Sequence, residues 1–149
     1  MKINENTNSS ILTNDNLKVL DMLKEYRIID SINELKNIKE NFVVFNDVIR
    51  YLKDKDKKIL FDRLEKSNTH FINITSDIEE VLLSPYLIII DNGNVLMEGN
   101  TEMVLKEEKI LKRLGFGLPF IVDLSTQLMH YNLINDIYLS EEELINKLW

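Results

Sequence analysis

Along His70 to Gly99 (HFINITSDIEEVLLSPYLIIIDNGNVLMEG) the spacing of apolar residues predicts strand, short helix, strand, tight turn and strand. Phe71, Ile72 and Ile74, and then Leu87 to Ile90, are too apolar and too β-branched for half-exposed edges, so both runs read as strands buried on two faces. Between them, Asp77 to Leu83 has room for about two helical turns. The turn Asp91-Asn92-Gly93-Asn94 is the sharpest local signal, because Asn-Gly tolerates the positive φ angles of a two-residue hairpin. Val95-Leu96-Met97 therefore folds back antiparallel on Leu87 to Ile90.

Upstream, Met1 to Thr13 is rich in Asn, Ser and Thr with little to bury beyond Ile11 and Leu12, and reads as a loosely held lead-in. From Asp15 to Lys39, residues Leu17, Leu20, Leu23, Ile28, Ile32, Leu35 and Ile38 recur at helical spacing and predict one or two helices. Asn41 to Phe45 is a short apolar run ending in Asn46-Asp47, a central strand with a carboxylate at its C-terminal end, where open α/β sheets place ligands. Lys53 to Lys58 alternates in charge and reads as a solvated helix start, followed by the stripe Ile59, Leu60 and Leu64 and a stop at Ser67-Asn68-Thr69. Strand 42–46, helix 54–66 and strand 70–75 make a βαβ unit, which implies a parallel pair.

Beyond Gly99 the pattern turns helical. Thr101 is placed to cap a helix carrying Met103, Val104 and Leu105, and Glu107 to Leu114 follows. Gly115-Phe116-Gly117-Leu118-Pro119 is a break, with glycines suited to left-handed geometry. A further amphipathic helix runs through Phe120, Val122, Leu124 and Leu128, and Ser140-Glu141-Glu142-Glu143 opens the last one as a capping box.

Composition narrows the function classes. At 149 residues and 44% hydrophobic, the chain buries a sizeable core without metal or disulfide. A net charge of −7 argues against a nucleic-acid partner, which needs clustered Lys and Arg. The absence of cysteine excludes thiol catalysis and thiolate metal sites and fits a cytoplasmic setting. No run approaches the ~18–20 apolar residues of a membrane span, so contact with a membrane is expected only through a partner.

Little free-standing chemistry remains. His70 and His130 have no second ligand at metal spacing, so no metal site is expected. Ser125 and Ser140 lack a glycine-flanked nucleophile context. Glu79-Glu80 and Glu141 to Glu143 are explained as acidic first-turn residues facing helix dipoles. Only Asn46 and Asp47, at a strand's C-terminal end, sit where a functional pair is expected.

The order of elements from Asn41 to Gly99 resembles the second half of an ABC-type ATP-binding domain: Walker B strand, D-loop, helix, switch strand and closing hairpin. The tail resembles the energy-coupling-factor branch (CbiO or EcfA type), through Leu111, Leu114-Gly115-Phe116-Gly117-Leu118-Pro119, Ile121 to Leu128 and Leu139 to Leu144. The resemblance implies an α/β fold: a truncated P-loop NTPase-like, mainly parallel sheet with a C-terminal hairpin strand and a small helical appendage. It divides the chain into a flexible N-terminal segment 1–13, a partial ABC ATPase-like α/β domain 14–99 and a C-terminal helical extension 100–149.

The departures from the family pattern are as informative. The Walker B strand of the family ends in Asp-Glu, serving Mg²⁺ and the attacking water; Asn46 and Asp47 stand there instead. Ser76 replaces the switch histidine and Lys53 the D-loop aspartate. The place of the signature motif holds Met22-Leu23-Lys24-Glu25-Tyr26. The four glycines are Gly93, Gly99, Gly115 and Gly117, so no Walker A loop is present. These changes imply no catalytic residues, with Asn46, Asp47 and Ser76 as degenerate equivalents, and no cofactor, ATP and Mg²⁺ entering only if a partner chain completes the site. The resemblance further implies an ABC ATPase subunit as partner in a homo- or heterodimer, at the inner face of the cell membrane through a transporter complex. Leu111, Phe116, Leu118 and Leu124 line either the appendage's own core or a subunit interface. Two further readings stay open: one piece of a split ATPase powering cobalt, nickel or vitamin import, with Walker A from another chain, or a remnant without function.

Overall fold

The short β-branched runs form strands with nearly the expected bounds. The computed structural model describes residues 1–149. Its strands are β1 (Ser9–Leu12), β2 (Ile28–Ile29), β3 (Phe42–Asn46), β4 (His70–Thr75), β5 (Tyr86–Asp91) and β6 (Asn94–Asn100). The helices are α1 (Asn16–Met22), α2 (Asp54–Lys66), α3 (Thr101–Leu105), α4 (Glu108–Arg113), α5 (Phe120–His130) and α6 (Glu141–Leu148), with 3₁₀ turns at Ile32–Asn37, Ile49–Tyr51 and Ile78–Leu83. One sheet runs in the order β2-β3-β4-β1-β5-β6, parallel throughout except for β5 with β6. The fold is thus α/β, a mainly parallel sheet closed by a hairpin strand. Asn92 and Gly93 take φ of 51° and 82° at the hairpin turn, as Asn-Gly demands.

Two sequence expectations about residues 1–39 need correcting. Ser9–Leu12 is not loosely held: it is a fully buried strand inside the sheet, paired in parallel with both β4 and β5. Four residues, two of them serine, carry too little apolar signal to register as a strand, and their burial comes from neighbours distant in sequence. The stretch 15–39 is not all helix either. It breaks into α1, the strand β2 and the turn Ile32–Asn37, and β2 itself forms the sheet edge. The helical spacing misleads because Leu17 is 74% exposed, whereas the buried residues are Val19 on α1, Leu23 just past its end, Ile29 on β2 and Leu35 in the turn.

Alternation along the strands sends side chains to two faces. Ile11, Val44, Ile72, Ile74, Ile88 and Ile90 form a cluster with Val19 and Leu23. On the opposite face, Val43, Phe45 and Phe71 pack with Leu60 and Leu64 of α2. On that same face Leu12, Leu87 and Ile89 share a cluster with Val104, Leu111, Ile121, Val122 and Leu144 of the C-terminal helices. Between these two clusters lies a polar seam that includes the fully buried Ser10 and Asn73. The helix α3 is capped by Asn100, whose side chain accepts from Glu102 N, rather than by Thr101, whose Oγ1 donates to Ser84 O at 2.7 Å. Ser140 Oγ accepts from Glu143 N at 3.2 Å, the capping contact its sequence announces.

Candidate functional site

The ends of β1, β3 and β4 meet around a cavity of about 100 Å³ lined by Thr13, Asn14, Asn16, Asp47, Thr75 and Ser76. The parallel register of β3 on β4 pairs Asn46 with Ile74, which sets the two strand ends side by side. Asn46, Asp47 and Ser76 are thereby gathered into one crevice, at the strand ends where α/β sheets bind ligands. Asp47 takes φ of 54°, a left-handed conformation that costs a non-glycine residue about 1 kcal/mol. Its amide donates to Ile74 O at 2.9 Å, which fixes the turn out of β3 against β4.

Arg50, in the turn Ile49–Tyr51, is the cation of this crevice. Its Nε lies 2.9 Å from Asp47 Oδ1 and 4.0 Å from Glu80 Oε2, and its Nη2 donates to Ser76 Oγ at 3.0 Å. The contact with Asp47 Oδ1 is an ion pair rather than an aligned hydrogen bond. Burial pushes the Asp47 carboxyl above its ordinary range, Arg50 opposes that rise, and the nearby charge of Asp77 adds to it.

Glu80 is a first-turn acid, as expected, but its role goes beyond facing a helix dipole. It is 4% exposed and accepts from Asn73 Nδ2 and from Thr75 Oγ1, each at 3.0 Å. Its neighbour Glu79 accepts from Phe120 N at 2.6 Å, tying the 3₁₀ turn Ile78–Leu83 to the start of α5. Motif reading identifies neither Arg50 nor Glu80 as part of the site. The available signal is Asn73, an amide in the middle of an apolar buried strand, which requires a polar partner.

The strand–loop–helix unit β1–α1 faces these groups with a loop of three residues, Thr13-Asn14-Asp15, none of them glycine. Thr13 N donates to Thr75 O at 3.0 Å and Asp15 N to Thr13 Oγ1 at 3.2 Å, so these two amides are already engaged inside the protein. Asn16 Nδ2 donates to Asn46 Oδ1 at 3.0 Å and closes the gap between the two walls. Lys18 is held instead by Asn92 Oδ1 and, at 3.8 Å, by Asp15. A Mg-triphosphate does not fit this set: the cavity compares with roughly 300–1,000 Å³ for ordinary ligand pockets. Its charged surroundings are also dominated by Asp47, Asp77 and Glu80, with Arg50 already paired.

The four candidate interface residues divide. Leu111 is fully buried in the cluster shared by the sheet and the C-terminal helices, and Phe116, Leu118 and Leu124 pack half-buried against that cluster. Gly115 and Gly117 take φ of 88° and 69°, the left-handed geometry expected of the break they form. His70 begins β4 and His130 ends α5. Ser125 donates to Ile121 O at 2.8 Å and accepts from Tyr138 N at 3.2 Å, a structural role within the helices.

No protein-family model matches the chain. Individual proteins do. It is 31% identical over 86 residues to the energy-coupling factor transporter ATP-binding protein EcfA1 of Listeria monocytogenes serotype 4b (strain F2365), covering 57% of this chain and 31% of that protein. It is 26% identical over 116 residues to EcfA1 of Mesomycoplasma hyopneumoniae (strain 7448), covering 75% and 41%. EcfA1 of Geobacillus kaustophilus (strain HTA426) matches at 24% over 117 residues, covering 75% and 42%. The chain therefore spans only 31% to 42% of the length of these relatives. Among solved structures, cbiO1 from Clostridium perfringens superposes on 64% of this chain and 38% of its own at 19% identity, with a TM-score of 0.42 too low to add weight.

By sequence, the chain is similar over part of its length to transporter ATP-binding proteins. Within that class the similarity runs to the energy-coupling factor branch, through ATP-binding proteins of the EcfA type.

Proposed function

We propose that this chain is a non-hydrolysing relative of an energy-coupling factor ATP-binding subunit and works by contact with an ABC ATPase subunit. The observation that carries this reading is the β1–α1 loop, whose three residues lack glycine and whose amides at Thr13 and Asp15 are spent on internal acceptors. A phosphate cradle needs a succession of free backbone N–H groups converging on the ligand. The altered side chains at Asn46, Asp47 and Ser76 point the same way, since a neutral amide and a hydroxyl replace groups that hold metal and γ-phosphate in the family pattern.

The split-ATPase alternative is disfavoured by β1. A phosphate loop from a second chain would have to reach the ends of β3 and β4, and the place beside β4 is already held by β1 and its loop. Partnership rests instead on the similarity to subunits of transporters and on the outer edge of β6, which offers unpaired backbone groups. No helix is long and apolar enough to cross a membrane, so membrane contact in this reading runs through the partner.

The test is co-expression with an energy-coupling factor ATP-binding subunit, followed by affinity capture and light scattering. A stoichiometric complex is expected. A strict monomer at high concentration that captures no ATPase subunit would contradict the partnership. The triple variant Asn46→Asp, Asp47→Glu, Ser76→His is expected to remain without Mg-dependent ATP turnover, and steady turnover by it alone would overturn the non-hydrolysing assignment.

A further inference from the structure

We infer that Asn92 is a site of spontaneous covalent modification in the folded protein, losing its side-chain amide to attack by Gly93 N, and that Lys18 on α1 sets the pace by clamping the hairpin turn. The inference goes beyond the proposed partnership and does not depend on it.

Asn92-Gly93 is the one Asn-Gly pair in the chain. A glycine after asparagine leaves the main-chain nitrogen open to approach, because no Cβ stands beside it. The pair occupies the tip of the β5–β6 hairpin, closed by Asp91 opposite Asn94, and Asn92 is exposed there. Solvent therefore supplies both the base and the water that the reaction needs. Gly93 N gives up its proton to a solvent base as it bonds to Asn92 Cγ. The Cγ–Nδ2 bond breaks, Nδ2 takes a proton back and leaves as ammonia, and a cyclic imide remains. Water then opens the imide at one of its two nitrogen–carbon bonds. Cleavage at Cγ leaves an aspartyl residue in a normal backbone. Cleavage at the main-chain carbonyl leaves an isoaspartyl link, with one extra methylene in the backbone path.

Lys18 lies across both reacting residues. Its Nζ donates to Asn92 Oδ1, and its Cδ stands 3.3 Å from where a Cβ on Gly93 would sit. Ring closure rotates the Asn92 side chain and the peptide group that attacks it, so it must loosen both that contact and the φ values of 51° and 82° that define the turn. The reaction accordingly runs through local opening of the hairpin tip rather than from the closed turn. Its two products act differently on α1. The aspartyl form keeps the turn and gives Lys18 a carboxylate in place of an amide. The isoaspartyl form lengthens the turn and moves the new carboxylate off the side-chain position that Lys18 holds.

The experiment follows ammonia loss and water gain, by intact mass and peptide mapping, in wild type, Lys18→Met, Lys18→Arg and Asn92→Asp, with wild type unfolded in guanidinium chloride as the reference. Lys18 is half exposed, so its replacement leaves the fold intact. Conversion is expected at Asn92, as two hairpin peptides of equal mass, at a rate about ten- to a hundredfold below that of the unfolded chain. Lys18→Met should react about threefold faster than wild type, the loss of one exposed charge-assisted contact, and Lys18→Arg should match wild type. Asn92→Asp should show no mass gain in the hairpin and keep the wild-type melt within about 3 °C. The purified isoaspartyl fraction should melt lower, with shifted amide resonances along α1.

Folded wild type that converts as fast as the unfolded chain overturns the inference, because the turn then restrains nothing. Slowing by about a thousandfold or more overturns it too, because the reaction then waits for global unfolding. Equal rates in wild type and Lys18→Met overturn the clamp, and an isoaspartyl fraction whose α1 amides have not moved overturns the link to α1.

Discussion

The crevice has two walls, and in the proposed reading they depart from an ATP-binding subunit in different ways. One wall, the ends of β3 and β4, carries Asn46, Asp47 and Ser76, which in the proposed reading are exchanged side chains on a retained backbone order. The other, the β1–α1 turn, is a strand, a loop and a helix, but the loop lacks glycine and turns its Thr13 and Asp15 amides to internal acceptors. An exchanged side chain can be exchanged back, whereas a missing nest of backbone N–H groups cannot be restored by a point substitution. In the proposed reading, the difference places the loss of nucleotide chemistry in the backbone of the second wall.

The largest effect that sharpens this contrast comes from deletion. A chain beginning at Asn14 loses β1 from between β4 and β5 and is expected to show no cooperative thermal transition by circular dichroism. A folded deletion variant would make β1 a dispensable lead-in and break the comparison. Next in size, Ile11→Ala removes a fully buried side chain from β1 and should cost about 2–5 kcal/mol in urea unfolding. Leu17→Ala on the exposed side of α1 should stay within about 0.5 kcal/mol.

A smaller effect tests the contact between the walls. Asn16→Ala loses the hydrogen bond to Asn46 Oδ1 and should cost about 0.5–1.5 kcal/mol, and the cost should vanish in an Asn46→Ala background. The smallest lies at the far side of the first wall. Arg27 Nη1 lies 2.7 Å from Glu40 Oε1, and this hydrogen-bonded pair holds the Glu40 carboxyl below its ordinary value near 4.5. A depressed folded-state pKa adds stability above the unfolded value and loses it as pH falls through the folded one. Acid unfolding curves of the wild type and Arg27→Met should therefore differ above pH 4.5 and converge as Glu40 protonates below it.

Much of the fold is legible in the sequence because long apolar runs decide their own structure. β3, β4 and α2 fall within the expected bounds, since each carries five or more residues of one period. β1 and β2 are not legible: four residues with two serines, and two residues alone, become strands only through partners far away in the chain. At the site, position in a motif locates Asn46, Asp47 and Ser76. Arg50 and Glu80 escape because their roles arise between segments separated in sequence, across a seam visible only as Ser10 and Asn73 inside otherwise apolar strands.

Titration of the purified chain with Mg-ATP, followed by calorimetry and by the amide resonances of Thr13 to Asn16, bears most directly on the proposed loss of a phosphate cradle. Up to about 1 mM nucleotide, no saturable heat and no shift of those resonances is expected. Saturable binding that moves them would show that the β1–α1 turn grips a triphosphate and would contradict the account.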